Sequence, residues 1–269
     1  MKIGNKIFEN DTYIMGILNV TPDSFSDGGK WNSIDAALRH TEEMLRDGAA
    51  IIDIGGESTR PGYTRISDEE EISRVAPVIE AVKARFDVPV SIDTYKSAVA
   101  EAALAAGADL VNDIWGFKAD ENIAYVCKKY DAACCLMHNR TNTDYTDFYN
   151  DVLKDLEESI KIAKEAGIAD DKICTDPGVG FSKSLEQNLA ITQNVDLLNK
   201  LGYPVLLGTS RKSMIGLTLD LDRDNRVEGT LATSVLAAMK HCLFVRVHDV
   251  KENYRAIKMM KALMAYERK

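Results

Sequence analysis

Along the chain, short apolar runs alternate with longer polar stretches whose apolar positions recur every three or four residues. The runs are Tyr13–Leu18, Ala50–Ile54, Val88–Ile92, Asp109–Asn112, Ala132–Met137, Lys172–Thr175, Pro204–Leu207 and Leu243–Val247. Most are apolar on both faces, the pattern of parallel strands covered on each side. Between them, Phe148, Val152, Leu156, Ile160 and Ala163 make one face of a long helix, for which Gly167 supplies a C-terminal stop. Ser67 followed by Glu70 predicts a capping box at the start of another helix. Tyr254, Ile257, Met260 and Met264 predict a core-facing stripe on the last one. Eight strand–helix units in 269 residues average about 34 residues each, the count and size of a (β/α)8 TIM barrel. A doubly wound open sheet is the alternative, but its first strand normally runs into a glycine-rich phosphate turn. Here it runs into Asn19-Val20-Thr21-Pro22. No composition break or linker divides the chain, which therefore reads as one domain over residues 1–269.

The polar residues fall where this fold would use them. In a barrel the C-terminal strand ends meet at one face. The first strand ends at Asn19, the second runs through Asp53 into Gly-Gly-Glu-Ser-Thr-Arg-Pro-Gly, and the third ends at Asp93. The fourth ends at Asn112-Asp113, the fifth at His138 and the sixth at Asp176. The seventh leads into Ser210-Arg211-Lys212-Ser213, and the eighth carries Arg246 and His248. Asp113 has a ready structural role as the cap of the following segment. The carboxylates of Asp93 and Asp176 accept hydrogen bonds only, whereas Asn112 both donates and accepts. That set suits a flat heterocycle presenting an amino group and a ring N–H beside a ring acceptor, with Lys212 donating from the far side.

Composition narrows the ligand classes. With 33 Lys and Arg against 42 Asp and Glu, the formal net charge is −9. No basic field is available for a nucleic-acid backbone or an anionic membrane surface. Any anion site must therefore be local. Arg211, Lys212, Arg246 and His248 supply one after the last two strands, the usual phosphate position in a barrel, with Arg60 and Arg65 in a neighbouring loop. Asn19, on the adjoining first strand, is positioned to hold Mg2+ through its carbonyl while phosphate oxygens complete the shell. The polar, glycine-flanked loops 19–30 and 55–65 are candidates for lids. No stretch reaches a membrane span of roughly 18 apolar residues. The N-terminal segment carries charges where a signal peptide needs an apolar run, so a cytoplasmic protein is expected. The 5 cysteines lack metal or redox spacing and read as reduced, buried thiols.

Taken together, NVTPDSFSDGG (19–29), DIGGESTRPG (53–62), SIDT (91–94), VNDI (111–114), DPGVGF (176–181), GTSRKSMIG (208–216) and RVHDV (246–250) resemble the dihydropteroate synthase family in both order and spacing. The resemblance runs from about Tyr13 to near the C-terminus. It implies a pterin-binding (β/α)8 barrel that joins 7,8-dihydropterin-6-ylmethyl pyrophosphate to p-aminobenzoate with loss of pyrophosphate. Asp93, Asn112, Asp176 and Lys212 would hold the pterin. Arg246 would cover one ring face and, with His248, Asn19 and Mg2+, bind the pyrophosphate. Asp27, Thr59, Arg60 and Pro61 would belong to loops closing over the pyrophosphate and p-aminobenzoate, and Phe181 and Ser213 would line the p-aminobenzoate pocket. Asp93, Lys212, Arg246 and His248 would carry the catalysis, and a homodimer through outer helices is implied. Residues Asn139-Arg140-Thr141-Asn142 depart from the Met- or Gly-containing stretch of many relatives and would alter the pocket rim.

Three other readings compete. A folate-to-corrinoid methyltransferase would share the pterin grip but needs no pyrophosphate site. A Schiff-base aldolase would use Lys212. A non-catalytic pterin-binding barrel would keep the pocket without turnover.

Overall fold

The computed structural model describes residues 1–21, 29–57 and 65–266, with the backbone alone for 29–33. A two-stranded antiparallel hairpin, β1 (Lys2–Ile3) and β2 (Lys6–Ile7), precedes the barrel. The parallel strands are β3 (Tyr13–Asn19), β4 (Ala49–Gly55), β5 (Val90–Asp93), β6 (Leu110–Asp113), β7 (Ala133–Met137), β8 (Ile173–Asp176), β9 (Leu206–Leu207) and β10 (Phe244–Val247). They pair in the order β8-β7-β6-β5-β4-β3-β10-β9. A parallel bridge between Thr175 and Val205 brings β8 to β9, so the eight strands form the (β/α)8 barrel expected from the sequence. Around it lie α1 (Gly29–Asp47), α2 (Asp68–Arg85), α3 (Ser97–Ala105), α4 (Asn122–Lys129), α5 (Phe148–Glu165), α6 (Leu185–Gln193), α7 (Ser213–Leu219), α8 (Val227–Met239) and α9 (Val250–Met264). Among the described residues no helix is long and apolar enough to cross a membrane.

Period-two alternation sorts each strand into two destinations. Ile14, Leu18, Ile52, Ile54, Val90, Ile92, Leu136 and Val245 join the large core between barrel and helices. Met15, Ile51, Leu110, Ala133, Cys135, Cys174, Leu206 and Phe244 form a separate inner core. The hairpin completes that inner core: Ile3 and Phe8 are buried with it, and the Phe8 and Phe244 rings meet edge-on at 5.3 Å. A plug from the N-terminal hairpin lies beyond reach of periodicity arguments, because each of its strands has only 2 residues. All five cysteines are free and buried, as expected of inert thiols.

The local signals hold unevenly. The α5 face is as expected, with Val152, Leu156, Ile160 and Ala163 buried, and Gly167 follows at φ 86°. Ser67 does cap α2 by accepting from the Glu70 amide at 3.2 Å, but the Glu70 carboxylate turns to Arg74, so the box is only half formed. The reciprocal box sits instead at α6, between Ser184 and Gln187. The stripe on α9 is rotated from the expected one. Val250, Asn253 and Ile257 are buried, while Tyr254 is exposed and Met260 and Met264 are partly so.

Candidate active site

The alternation that fills the inner core with apolar groups also aims the next residue of each strand into the barrel mouth. Asp53 stands two residues beyond Ile51, Asn112 two beyond Leu110, Asp176 two beyond Cys174, and Arg246 two beyond Phe244. Asp93 is level with Asn112 across the β5–β6 pair. Gly208 follows β9, and its lack of a side chain leaves open the space in front of the others. A Cβ built there would lie 3.6 Å from Asp176 Oδ2, 3.8 Å from Lys212 Nζ and 3.9 Å from Arg246 Cβ. Asp176, Lys212 and Arg246 thus converge on one point, as the sequence predicts.

Arg246 is the electrostatic centre. Its Nε donates to Asp53 Oδ2 at 2.5 Å and its Nη2 to Asp93 Oδ2 at 2.6 Å. Burial opposes the charge, but Asp53 and Asp93 outweigh it and hold the guanidinium above its ordinary pKa. Asp53 is wholly buried, and neither Asp53 Oδ1 nor Asp93 Oδ1 accepts a hydrogen bond from any described residue. Such oxygens are costly unless a ligand supplies the donors. Burial raises the Asp93 pKa, with Arg246 pulling the other way and Asp53 adding. Asp53 was only a strand-end polar residue in the sequence. The signal that marks it is a carboxylate inside the apolar run Ala-Ala-Ile-Ile-Asp-Ile-Gly.

The remaining groups sit at the end of β8, on the loops after β8 and β9, and at the start of α7. Asp176 Oδ1 accepts from the Gly178 amide at 2.6 Å, and burial raises its pKa. Lys212 Nζ donates to the Val179 carbonyl at 2.5 Å and lies 5.0 Å from the centre of the Phe181 ring. Burial lowers the Lys212 ammonium to about 8, with Asp176 opposing. Phe181 also packs on a small apolar cluster of Tyr95, Ile114 and Met137, with Trp115 beside it. Ser213 is exposed as the first residue of α7. Asp113 is a structural cap: its carboxylate accepts from the amides of Trp115 at 2.8 Å and Phe117 at 2.7 Å.

The cationic side is narrower than the sequence suggested. Arg211 is locked away by Asp249, at 3.0 and 2.5 Å, and by Asp224 at 3.6 Å. Arg65 lies over the Tyr95 ring at 5.6 Å. His248 accompanies Arg246 at the end of β10. Ser210 Oγ accepts from the His248 amide at 3.1 Å and stands 2.9 Å from Nδ1, which ties the imidazole to the β9–α7 loop. Burial, with Arg246 and Arg211 nearby, pushes the imidazole down to about 3. His248 is therefore a neutral N–H donor near pH 7. An anion against it would stabilise the protonated ring. Nuclear magnetic resonance titration of the imidazole is expected to show its pKa rising toward the ordinary histidine range when pyrophosphate is added; an unchanged value would remove His248 from the anion site. Asn19 is half-buried at the end of β3, and no described residue hydrogen-bonds its side chain. Asp27, Thr59, Arg60 and Pro61 lie outside the described residues.

The stretch 139–142 ties α5 to the loop that carries Phe181. Arg140 binds Asp155 at 2.5 and 3.2 Å, and Asn139 is buried beneath Ser182. An open groove between α5 and residues 200–203 on the outer surface is lined by Glu157, Lys161 and Lys164 and brings together no such convergent groups.

A family model described as pterin binding enzyme matches residues 15–248. The chain is 62% identical over 262 residues to a dihydropteroate synthase of Clostridium beijerinckii, covering 96% of this chain and 97% of that one. It is 53% identical to the dihydropteroate synthase of Bacillus subtilis, covering 96% of this chain and 90% of the relative. A crystal structure of the Clostridium difficile dihydropteroate synthase in the presence of pteroic acid superposes with a TM-score of 0.93 at 50% identity, over 97% of this chain and 99% of that chain. That of the Xanthomonas albilineans dihydropteroate synthase with 4-aminobenzoic acid gives 0.90 at 41% identity, over 95% of this chain and 94% of that one.

Proposed function

Because this chain belongs to the pterin-binding enzyme family, as one of its dihydropteroate synthases, we propose that the convergent strand-end groups divide between a pterin grip and a pyrophosphate site. The observation that carries this is the meeting of Asp176, Lys212 and Arg246 around Gly208, with Asp93 and Asn112 alongside. Asp93, Asn112, Asp176 and Lys212 hold the pterin of 7,8-dihydropterin-6-ylmethyl pyrophosphate, whose N–H donors meet the free carboxylate oxygens. Arg246 covers one ring face and, with the His248 imidazole, contacts the pyrophosphate. Phe181 and Ser213 line the p-aminobenzoate site with Asp27, Thr59 and Pro61 of the loops, while Asn19, Thr59 and Arg60 join the pyrophosphate site.

Asn19 fits Mg2+ through the chemistry of its donor: one neutral carbonyl oxygen suits an ion that brings water and phosphate oxygens of its own. Among the described residues no cluster of three or more acidic, His or Cys side chains offers a separate cage. When bound, Mg2+ supplies charge neutralisation for the departing pyrophosphate. Arg246 and His248 stand ready to bind that same charge. The C–O bond to pyrophosphate breaks with its electron pair on oxygen, leaving an electron-poor methylene conjugated to the ring. The Asp93 carboxylate stabilises this cationic character. The neutral aniline nitrogen forms the new C–N bond, positioned by the Phe181 wall, and its proton is lost to solvent. No general base is required before attack.

A pyrophosphate-release assay tests the reading. With both substrates and Mg2+, release is expected to match formation of 7,8-dihydropteroate; no release would sink it. Chelating Mg2+ is expected to slow turnover, and an unchanged rate would remove the metal alone from the account.

The same reading places the protein in folate biosynthesis in the cytoplasm, as a homodimer. The exposed apolar residues Met239, Tyr254, Met259 and Leu263 on the packed pair α8 and α9 support a second copy docking there. Sedimentation is expected to give twice the monomer mass, and Met259→Glu with Leu263→Glu is expected to halve it. A monomeric wild type would exclude the dimer.

A further inference from the structure

We propose that Lys183 is a positioning residue that sets the p-aminobenzoate wall by fastening the 178–181 loop to His138. The proposal rests on the reading of Phe181 as part of that wall. Lys183 touches no reacting group. Its Nζ lies against three acceptors: the Gly178 carbonyl at 3.0 Å, the Phe181 carbonyl at 3.1 Å and His138 Nδ1 at 2.8 Å; burial lowers its pKa to about 7, below which the ammonium has an N–H for each.

The acceptor role of His138 is fixed from behind. Its ring is fully buried, and Nε2 faces Asp155 Oδ2 at 3.0 Å, a carboxylate that Arg140 also binds. Burial, together with the Lys183 charge, brings the imidazole down to about 4 despite Asp155. The ring is thus neutral, with its proton on the nitrogen facing Asp155, and Nδ1 is left for a donor. The chain Asp155–His138–Lys183 runs from the outer helix α5 to the loop, and each link fixes the orientation of the next.

The loop has little other freedom at this point. Gly178 has φ 68°, and a Cβ there would fall 1.9 Å from the His138 carbonyl oxygen, so the backbone lies directly on the end of β7. What Lys183 holds is what the site uses: the Val179 carbonyl receives Lys212, and the Phe181 ring lies beneath the same ammonium. Farther along, Tyr145 donates to the Ser182 carbonyl at 2.9 Å and the Gly180 amide to Asn188 at 2.6 Å. These contacts, with the Phe181 amide donating to the Gly178 carbonyl at 3.1 Å, keep the loop attached when Lys183 is removed, whereas the Phe181 carbonyl loses its bond to Lys183.

The test measures kcat, the KM of each substrate and calorimetric pterin affinity in the full-length protein. Lys183→Met is expected to raise the KM for p-aminobenzoate about tenfold, with pterin affinity within about twofold of wild type, because a shift near 1 Å in a positioning surface is costly. His138→Asn places an oxygen near the position of Nδ1 and is expected to stay close to wild type, whereas His138→Leu should follow Lys183→Met. Phe181→Ala separates the two levels of the argument. If it raises the KM for p-aminobenzoate while Lys183→Met does not, the role of Lys183 is overturned. If Phe181→Ala itself leaves that KM unchanged, the reading of the wall fails and the proposal with it. Pterin affinity falling in parallel with the KM for p-aminobenzoate would reduce Lys183 to a general structural part and overturn the proposal as well.

Discussion

Arg246→Met should both disable and destabilise the protein. The substitution keeps most of the side-chain volume but removes the only described donors to Asp53 Oδ2 and Asp93 Oδ2 at hydrogen-bond distances below 3 Å. Asp53 is wholly buried, so its charge would stand uncompensated. Removing one partner of a buried pair costs about 3 kcal/mol or more, which thermal unfolding would read as a clear drop in Tm. The deficit should shrink as pH is lowered, because protonation of Asp93, whose pKa burial raises, removes part of the charge that Arg246 compensates. Loss of the guanidinium from the pyrophosphate site should lower turnover by about 10²–10³-fold at any pH, the scale seen on removing one preorganised transition-state donor. Arg246→Lys separates the two effects. A single ammonium cannot span two carboxylates as the planar fork does, so stability should recover more than activity. Turnover within a few-fold of wild type in Arg246→Met would exclude the assigned role.

Asp93→Asn should leave the fold intact and abolish most of the activity. The two side chains have the same shape, and Arg246 keeps its contact with Asp53. The charge facing the electron-poor methylene is what disappears, and a loss of about 10²–10³-fold in kcat is expected. The pH profile carries an independent signature. Burial raises the Asp93 pKa, so its active, ionised form is lost as pH falls through a value above the ordinary carboxylate range. Wild-type kcat/KM should therefore bend downward on the acid side above the pH where a free Asp titrates, near 3.9. The Asn variant should lack that bend. Near-wild-type turnover in Asp93→Asn would remove the residue from catalysis.

The sequence made the frame legible wherever a residue's fate depends on its own strand. Each barrel strand lies within a few residues of its apolar run, and Asn112, Asp176 and Arg246 stand at strand ends because alternation carries the inner face from apolar to polar there, with Asp93 level with Asn112. Partnerships formed across the barrel were not legible. Arg246 meets Asp53 at a separation of 193 residues and Asp93 at 153, and no local pattern encodes either pairing. The same limit hid the capture of Arg211 by Asp249 and the approach of Lys183 to His138. It also made His248 look like a cation, because a histidine's protonation depends on neighbours drawn from other strands. The α9 stripe failed for a different reason. Met and Tyr satisfy a helical period on either of two adjacent faces, and the buried Asn253, which donates to the Asp249 carbonyl at 2.7 Å, sits on the true one.

The pairing of β3 with β10 also bears on how the protein is made. β3 is the first barrel strand to leave the ribosome, and one of its two neighbours, β10, is the last barrel strand to follow. Until Phe244–Val247 emerge, β3 is an open sheet edge and Phe8 lacks the Phe244 ring that closes the inner core. Every nascent chain shorter than this carries an unpaired edge and an unfilled barrel floor, the features that recruit chaperones or aggregate. Closure of the barrel thus waits for its last strand by topology, however quickly the intervening β–α units form.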